Sequence, residues 1–258
     1  MASSIERDSL PTVGAIALIA MCLVTFDHEG LGHGGACLAL GGHVELLSSA
    51  LFRCDLASPA IDAAGPLANL LLGLAALALR RFVPAERAGR RLFLILVTAF
   101  SLFWEGGYLV QAMLLKDGDL YFALRDLLRG PDLWWRGVGA ALGVLVYGGA
   151  TVVASRALAG LWPDLALARR AARTAWLVAV VGAALAASFY RGPDMARNFH
   201  DAMTEIGLAS IPLLLIPRGG RVSSVPGPAT IAWDLVTLVL AACVFALFAA
   251  TQGRGLRA

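Results

Sequence analysis

Residues 9–42 of the chain read SLPTVGAIALIAMCLVTFDHEGLGHGGACLALGG. Residues 9–26 carry no charge, and apolar and glycine residues resume after His33. An α-helix needs about 20 predominantly apolar residues to cross the hydrocarbon core of a bilayer. The stretch therefore predicts one long membrane-spanning helix whose centre, at residues 27–33, is polar.

The rest of the chain repeats this apolar pattern. Of its 258 residues, 59% are hydrophobic and 15% are charged, and the mean hydropathy is +0.74. This composition excludes most classes of soluble protein and predicts an all-α, polytopic membrane helix bundle with about six or seven spans, a single integral membrane domain over residues 1–258. Further spans are expected at residues 57–79, 92–115, 137–161, 174–190, 203–216 and 229–251, of which 203–216 is short enough for a partial crossing. Residues 41–55 are mixed in polarity and predict a loop or a re-entrant hairpin.

The basic residues mark the ends of the spans. The arginines lie in short clusters between apolar runs, which is typical of topology anchors and not of a nucleic-acid-binding face. Alternating spans place 12 of the 21 Arg and Lys on the side of the N-terminal residues and the other 9 on the side nearer His33. Because basic residues are enriched in cytoplasmic loops, this slight excess predicts that the His33 end faces away from the cytosol.

The four cysteines show no C-x-x-C spacing, and three of them lie in or beside apolar segments. Buried thiols are ordinary there. The positions of Cys22, Cys37, Cys54 and Cys243 therefore predict neither a disulfide framework nor a thiolate zinc site.

The polar centre of the first span is the strongest functional signal. Asp27-His28-Glu29-Gly30-Leu31-Gly32-His33 places two imidazoles and two carboxylates in an otherwise apolar helix. An ionisable side chain at the middle of a spanning helix costs about 2.5 to 3.5 kcal/mol on insertion scales, so such residues are rare unless they are paired or functional. Zinc binding is the first hypothesis, because imidazole is a common zinc ligand and Glu29 can act as a general base toward a zinc-bound water.

The spacing of the two histidines decides how they could share an ion. The zincin signature H-E-x-x-H has its histidines at i and i+4, on one helix face, whereas His28 and His33 are at i and i+5. A π-bulge would return them to one face, and Gly30 and Gly32 favour an irregular turn. Two alternatives remain: Glu29 and His33 as the ligand pair of a regular helix, and a purely structural polar cluster.

A two-histidine zinc site needs a third protein ligand. The candidates are Asp119, Asp117, Glu105 and Asp194. Alternating spans bring several ionisable residues toward the same membrane face as His33, namely Asp62, Asp119, Asp194, His200 and Glu205. Asp117 and Asp119 also suit a turn around Gly118 that caps a short helix.

Gly65-Pro66-Leu67-Ala68-Asn69 lies early in the second span. Glycine permits close approach of helices, and the Asn69 amide can hydrogen-bond across helices or to the backbone of an extended substrate. Residues 197–205 predict the solvated start of a helix, with His200 and Glu205 as further candidates for the site.

In these motifs the chain resembles the site-2 protease family of intramembrane zinc metalloproteases, with H-E-x-x-x-H in place of H-E-x-x-H. The resemblance covers about residues 10–130, a metalloprotease-like core, and leaves residues 137–258 as additional spans. It implies Zn²⁺ held by His28, His33 and Asp119, with Glu29 as the catalytic base and Asn69 as a substrate contact. It also implies a site open toward the cytosol, which the distribution of basic residues opposes.

We therefore predict an intramembrane zinc metalloprotease that hydrolyses peptide bonds in or near a bacterial inner (plasma) membrane. Its partners would be the lipid bilayer and a transmembrane or membrane-proximal protein substrate, with no nucleic acid. Two alternatives are an inactive family member that acts as a membrane scaffold and a proton- or ion-coupled transporter with a relay through Asp27, Glu29, His33, Asp62 and Glu105.

Overall fold

The computed structural model describes residues 8–128, 130–162, 164–215 and 230–257. Within these ranges, six helical segments are long and apolar enough to cross a membrane. They are Leu10–Ala39, Pro59–Phe82, Ala88–Leu115, Leu133–Ala159, Leu165–Ser188 and Leu235–Gly253. The predicted all-α, polytopic membrane helix bundle is confirmed.

The helices and strands are numbered in chain order. The α-helices are α1 (Leu10–Phe26), α2 (Gly35–Ala39), α3 (Pro59–Leu79), α4 (Ala88–Leu115), α5 (Asp119–Leu127), α6 (Leu133–Ala159), α7 (Leu165–Ser188), α8 (Met195–Ala202) and α9 (Leu235–Phe248). The strands are β1 (Val44–Leu47) and β2 (Phe52–Cys54). Described π-helices lie at Asp27–Gly34, Met203–Leu208 and Ala249–Gly253, and 3-10 helices lie at Arg80–Phe82 and Ile211–Leu215.

The bundle has two ends, which we name by what they carry. The hairpin end holds the antiparallel pair β1–β2 and the turn between α4 and α5. Leu256 pairs there with Leu47, whose N–H donates to the Leu256 carbonyl oxygen over 2.9 Å. The opposite end holds the turn after α3 and the contact of the Ser9 N–H with the Ile231 carbonyl oxygen at 2.8 Å. Residues 41–55, predicted as a loop or a re-entrant hairpin, contain this antiparallel β-hairpin.

A disulfide joins Cys37 in α2 to Cys54 in β2, with their Cα atoms 6.1 Å apart. The prediction of no disulfide was wrong. The two residues are 17 positions apart in sequence and become neighbours only because the β-hairpin turns the chain back toward α2. Cys22 and Cys243 are free thiols.

The fifth spanning helix, α7, begins at Leu165, well before the predicted residue 174. The predicted start was too late because the charges of Arg169, Arg170 and Arg173 interrupt the apolar pattern. Asp164 caps the helix by accepting a hydrogen bond from the Ala166 N–H at 2.8 Å. Buried alanines in the same turns face the core, while Arg170 and Arg173 are exposed and Arg169 is half-buried on one continuous helix.

The short span predicted at residues 203–216 contains no long helix among its described residues. A π-helix at Met203–Leu208 is followed by a 3-10 helix at Ile211–Leu215. Pro212 has no N–H to donate, which disfavours a continuous α-helix here. Residues 216–229 lie outside the described part of the chain.

The core lies where α1 meets α4, α7 and α9. Small residues allow these helices to approach closely. Gly182 of α7 lies against Leu18 and Met21 of α1, and a Cβ on Gly143 of α6 would lie 2.8 Å from the Gly106 carbonyl oxygen of α4. This packing holds α4 rigidly beside the polar residues that follow α1.

Candidate metal site

The histidines of the first span meet on a π-helix. The helix covers Asp27–Gly34, so the segment adopts the wider turn with i to i+5 hydrogen bonding. The two Nε2 atoms, of His28 and His33, lie 3.2 Å apart. The predicted π-bulge is therefore present, and the regular helix required by the Glu29/His33 alternative is not formed at this segment.

Glycines allow the π-helix to lie directly on α3. A Cβ on Gly32 would lie 2.5 Å from the Gly65 Cα atom and 2.8 Å from the Ala64 carbonyl oxygen. A Cβ on Gly65 would overlap the His33 imidazole. The missing side chain at Gly65 leaves the space that His33 occupies. This matches close helix approach, one of the two roles expected for the Gly65–Asn69 segment.

Asp119 completes the cluster from the first residue of α5. Its Oδ2 atom lies 3.3 Å from His33 Nε2 and 3.6 Å from His28 Nε2. The turn before it needs Gly118, which has a φ of 102° and would place a Cβ 2.7 Å from the Tyr108 hydroxyl. That hydroxyl donates to Asp119 Oδ2 at 3.2 Å and accepts from the Asp119 N–H at 3.1 Å. Tyr108 therefore fixes the position of the carboxylate.

The charge state of Asp119 suits a cation. Burial opposes its ionisation, but the hydrogen bonds and the charge interactions with His28 and His33 together outweigh burial and hold the pKa of Asp119 below its ordinary range. The side chain is therefore a carboxylate, the form that binds a metal ion.

The three side chains form a triangle of the size that zinc requires. Zinc bonds of about 2.0 to 2.2 Å in a tetrahedral arrangement place neighbouring ligand atoms about 3.3 to 3.6 Å apart. The His28, His33 and Asp119 atoms are separated by 3.2, 3.3 and 3.6 Å. The donor set, two imidazoles and one carboxylate, is also one that zinc accepts while a fourth position stays open.

Acceptors on other helices orient both imidazoles. His28 Nδ1 lies 2.9 Å from Glu105 Oε1 on α4, and His33 Nδ1 lies 2.7 Å from the Ile61 carbonyl oxygen on α3. A carbonyl or carboxylate oxygen accepts, so each Nδ1 donates and Nε2 is the ring atom left to bind a metal. Asn69 Nδ2 donates to the same Glu105 oxygen at 2.8 Å.

Aromatic rings hold the two imidazoles in place. Trp104 stacks on His28 with the ring centroids 4.3 Å apart, and Phe52 of β2 stacks on His33 at 5.4 Å. Sequence reasoning missed both rings and also missed Tyr108. Trp104 could have been found because it precedes Glu105, but nothing local to Phe52 connects it with residues on the first span.

A cavity of about 320 Å³ lies beside the cluster at the hairpin end. Glu29 lines it together with His33 and Asp119, although the Glu29 side chain is only 3% exposed. Glu205, from the second π-helix, also lines it. The cavity therefore contains the proposed base, two of the candidate ligands and one further carboxyl group.

Other predicted residues lie outside the three-residue cluster. Asp117 is exposed at the rim of the cavity, 3.9 Å from Arg197 Nη2, and Asp194 pairs with Arg53 at 2.8 Å. His200 is 70% exposed and its Nδ1 lies 2.9 Å from an Asp201 carboxylate oxygen. Neither Asp117 nor His200 is a ligand in this arrangement.

Two predicted residues support the cluster from behind. Glu105 orients His28 and does not belong to the ligand triangle. Asn69 is completely buried and donates to Glu105, and its role as a substrate contact stays a prediction. No family model, curated protein or solved structure matches the chain.

Proposed function

We propose that this membrane protein is a zinc-dependent intramembrane peptidase. The observation that carries the proposal is the triangle of His28 Nε2, His33 Nε2 and Asp119 Oδ2, with sides of 3.2 to 3.6 Å. The three atoms fit three corners of a zinc tetrahedron, and acceptors at Nδ1 orient both imidazole rings. This is a specific arrangement, because Asp119 is far from the two histidines in sequence.

Zinc held by His28, His33 and Asp119 would polarise a peptide carbonyl and lower the pKa of water at the open position. Glu29 lies next to His28 and lines the same cavity. Its carboxylate would take a proton from the attacking water and deliver it to the leaving amine nitrogen as the C–N bond breaks. Burial among the helices limits the access of bulk water to this carboxylate.

The substrates that suit this position are transmembrane or membrane-proximal peptide segments. The two histidine ligands follow directly on α1, inside the spanning segment Leu10–Ala39, and the cavity opens at the hairpin end. An extended polypeptide can reach such a site from the membrane surface. The helical spans suit a bacterial inner (plasma) membrane, because outer membranes are crossed by β-barrels instead.

The test combines metal content with turnover on detergent-purified protein. We expect about one zinc per chain in the wild type and little in His33→Ala. Glu29→Gln should keep zinc and lower cleavage of quenched-fluorescent apolar peptides in proteoliposomes by about 10² to 10⁴-fold. The matched control is His200→Ala, which removes an exposed histidine outside the cluster and should change neither quantity.

Two outcomes would contradict the proposal. Wild-type protein without zinc would exclude the metal site, and full cleavage by Glu29→Gln would exclude this residue as the base. Zinc binding with no turnover on any peptide would favour the inactive membrane scaffold instead.

Proton- or ion-coupled transport is the second candidate function, and the buried acids favour it. Glu29 and Glu105 are 3% and 4% exposed, and Asp27 has a buried oxygen without a hydrogen-bond partner among the described residues. Ionisable groups inside a bilayer often mark ion paths. Transport predicts a pH-dependent flux into proteoliposomes that Glu105→Gln abolishes, whereas a peptidase predicts no such flux.

A further inference from the structure

The disulfide and the candidate metal site lie at the same end of the bundle. Cys37 lies near the end of the first spanning segment, a few residues after His33, and Cys54 is the last residue of β2. The neighbouring β2 residue, Phe52, stacks on His33 and lines the cavity. The disulfide thus fastens the hairpin that covers one side of the metal site.

A structural disulfide indicates the compartment that this end faces. Disulfides form and persist in oxidising compartments, and they are rare in the cytosol, where thiols are kept reduced. The Cys37–Cys54 pair therefore indicates that the hairpin end lies on the oxidising, non-cytosolic side of the membrane.

The basic residues give the same orientation independently. The opposite end carries the densest clusters, with Arg80, Arg81, Arg87, Arg90 and Arg91 between α3 and α4 and Arg156, Arg169, Arg170 and Arg173 around the turn between α6 and α7. Arginines in short loops near the ends of spans are retained in the cytoplasm. Over the whole sequence this side has 12 Arg and Lys against 9 on the other, a slight excess that favours the opposite end as the cytosolic one and again places the hairpin end outside.

We propose that the metal site opens to the oxidising, non-cytosolic face of the membrane and that its substrates are polypeptide segments exposed at that face. The orientation follows from the disulfide and the arginines alone, whereas the substrate class rests on the proposed peptidase function. This orientation is opposite to the one that the family resemblance implies.

A different chemical state of the same cysteines would contradict the proposal. Cys37, Cys54 and Asp55 bring ligand atoms within 4.8 Å of one another, and His43 Nδ1 lies 3.1 Å from Asp55 Oδ2. In a reducing compartment these side chains could bind zinc as thiolates instead of forming a disulfide. Free or zinc-bound thiols at this end would place it in the cytosol.

The first experiment counts thiols in the full-length protein. Cells are quenched with acid, and the denatured protein is alkylated before or after reduction and analysed by mass spectrometry. We expect two alkylated cysteines before reduction, Cys22 and Cys243, and four after it. The double variant Cys37→Ser/Cys54→Ser should give two in both cases. Four alkylated cysteines without reduction would overturn the proposal.

The second experiment measures the orientation directly. Cys22 and Cys243 are replaced by Ala, and a single reporter cysteine is introduced as Asp126→Cys at the hairpin end or as Glu86→Cys at the opposite end. Both native side chains are exposed, so both variants should fold. In intact cells a membrane-impermeant maleimide should label the cysteine at position 126 at least tenfold more than the one at 86, and permeabilisation should equalise them. The reverse pattern would overturn the proposal.

Neither readout depends on zinc or turnover, so the two proposals can fail separately. External labelling at position 126 in a protein without zinc would leave the orientation standing and remove the peptidase. Zinc with internal labelling at 126 would leave the metal site standing and remove the inferred substrate face. In the oriented protein, an impermeant peptide substrate added outside intact cells should be cleaved by the wild type and not by Glu29→Gln.

Discussion

The two π-helices that border the cavity differ in what they contribute. The first, Asp27–Gly34, presents two imidazoles whose Nδ1 atoms lie 2.9 and 2.7 Å from acceptors on α4 and α3. The second, Met203–Leu208, presents the carboxyl group of Glu205, which lines the cavity. Both segments widen the helix and turn an ionisable side chain inward.

The comparison shows that a π-helix brings a side chain to the cavity but does not by itself fix the position of that side chain. The second π-helix is held by its backbone, since Trp176 Nε1 donates to the Gly207 carbonyl oxygen at 3.1 Å. The first is held through its functional side chains, because Glu105 and the Ile61 carbonyl oxygen fix the rings. We infer that the geometry of the metal site comes from α3 and α4, and the following variants test this difference.

The largest effect should come from the matched glycines of the two π-helices. A Cβ on Gly32 would meet the backbone of α3 at 2.5 Å, whereas one on Gly207 would meet the flexible end of the Met203 side chain at 3.3 Å and Val180 at an ordinary contact distance of 3.7 Å. Gly32→Ala should cost about 1 to 3 kcal/mol of stability through overpacking and abolish zinc binding. Gly207→Ala should stay within about 0.5 kcal/mol and keep zinc. Thermal unfolding in detergent and zinc content per chain measure both, and equal losses would contradict the difference.

The next effect concerns two glutamates, Glu105 on α4 beside the first π-helix and Glu205 in the second. Glu105→Gln weakens the acceptor that orients His28, and loss of such a supporting group typically lowers metal affinity 10 to 100-fold. Glu205→Gln should change zinc affinity less than twofold, because no ligand ring donates to it. Competition with a fluorescent zinc chelator provides the dissociation constants. A Glu205→Gln variant that loses zinc as strongly as Glu105→Gln would show that the second π-helix also forms the site.

A smaller effect on zinc affinity is expected at Asn69, which is linked to the site through its hydrogen bond to Glu105. Asn69→Ala removes the hydrogen bond of 2.8 Å to Glu105 but leaves the contact of Glu105 with His28. One net hydrogen bond is worth about 1 kcal/mol, which corresponds to a loss of zinc affinity of about fivefold. The same chelator titration measures it. If Asn69 instead binds substrate, Asn69→Ala should raise KM and leave zinc affinity unchanged.

The smallest effect should come from the aromatic cover on His33. Phe52→Leu keeps an apolar side chain on β2 but removes the ring that stacks on the imidazole at 5.4 Å. Aromatic pairs contribute about 0.5 to 1.5 kcal/mol beyond their buried area, and part of that should reach the metal as a two- to threefold loss of affinity. Trp104→Leu, at 4.3 Å from His28, is the companion variant and should lose at least as much. Unchanged affinity in both would show that the rings only fill space.

Much of the fold could be predicted because membrane spans are a local property. Each apolar run must satisfy its backbone hydrogen bonds within itself in the hydrocarbon core, so a helix follows wherever about 20 such residues occur together. Two predicted spans differ from the structure for local reasons. The arginines of α7 made the predicted start of that helix too late, and Pro212 lies in a segment whose described part forms no long helix. The π-helix could be anticipated because the spacing of His28 and His33 and the glycines between them are also local.

The tertiary structure alone decided which distant residues meet. Residue type and spacing make both Asp117 and Asp119 candidates, and the resemblance favours Asp119; only Asp119 is held by the Tyr108 hydroxyl in the position that the positive φ of Gly118 allows. The partner of Asn69, the ring of Phe52 and the pairing of Cys37 with Cys54 likewise depend on how α3, α4 and the hairpin pack against the first span. Hydropathy describes each segment against the lipid, whereas these contacts depend on close packing between segments, and that is why the sequence determined the spans and the candidate ligands while the tertiary structure decided the site.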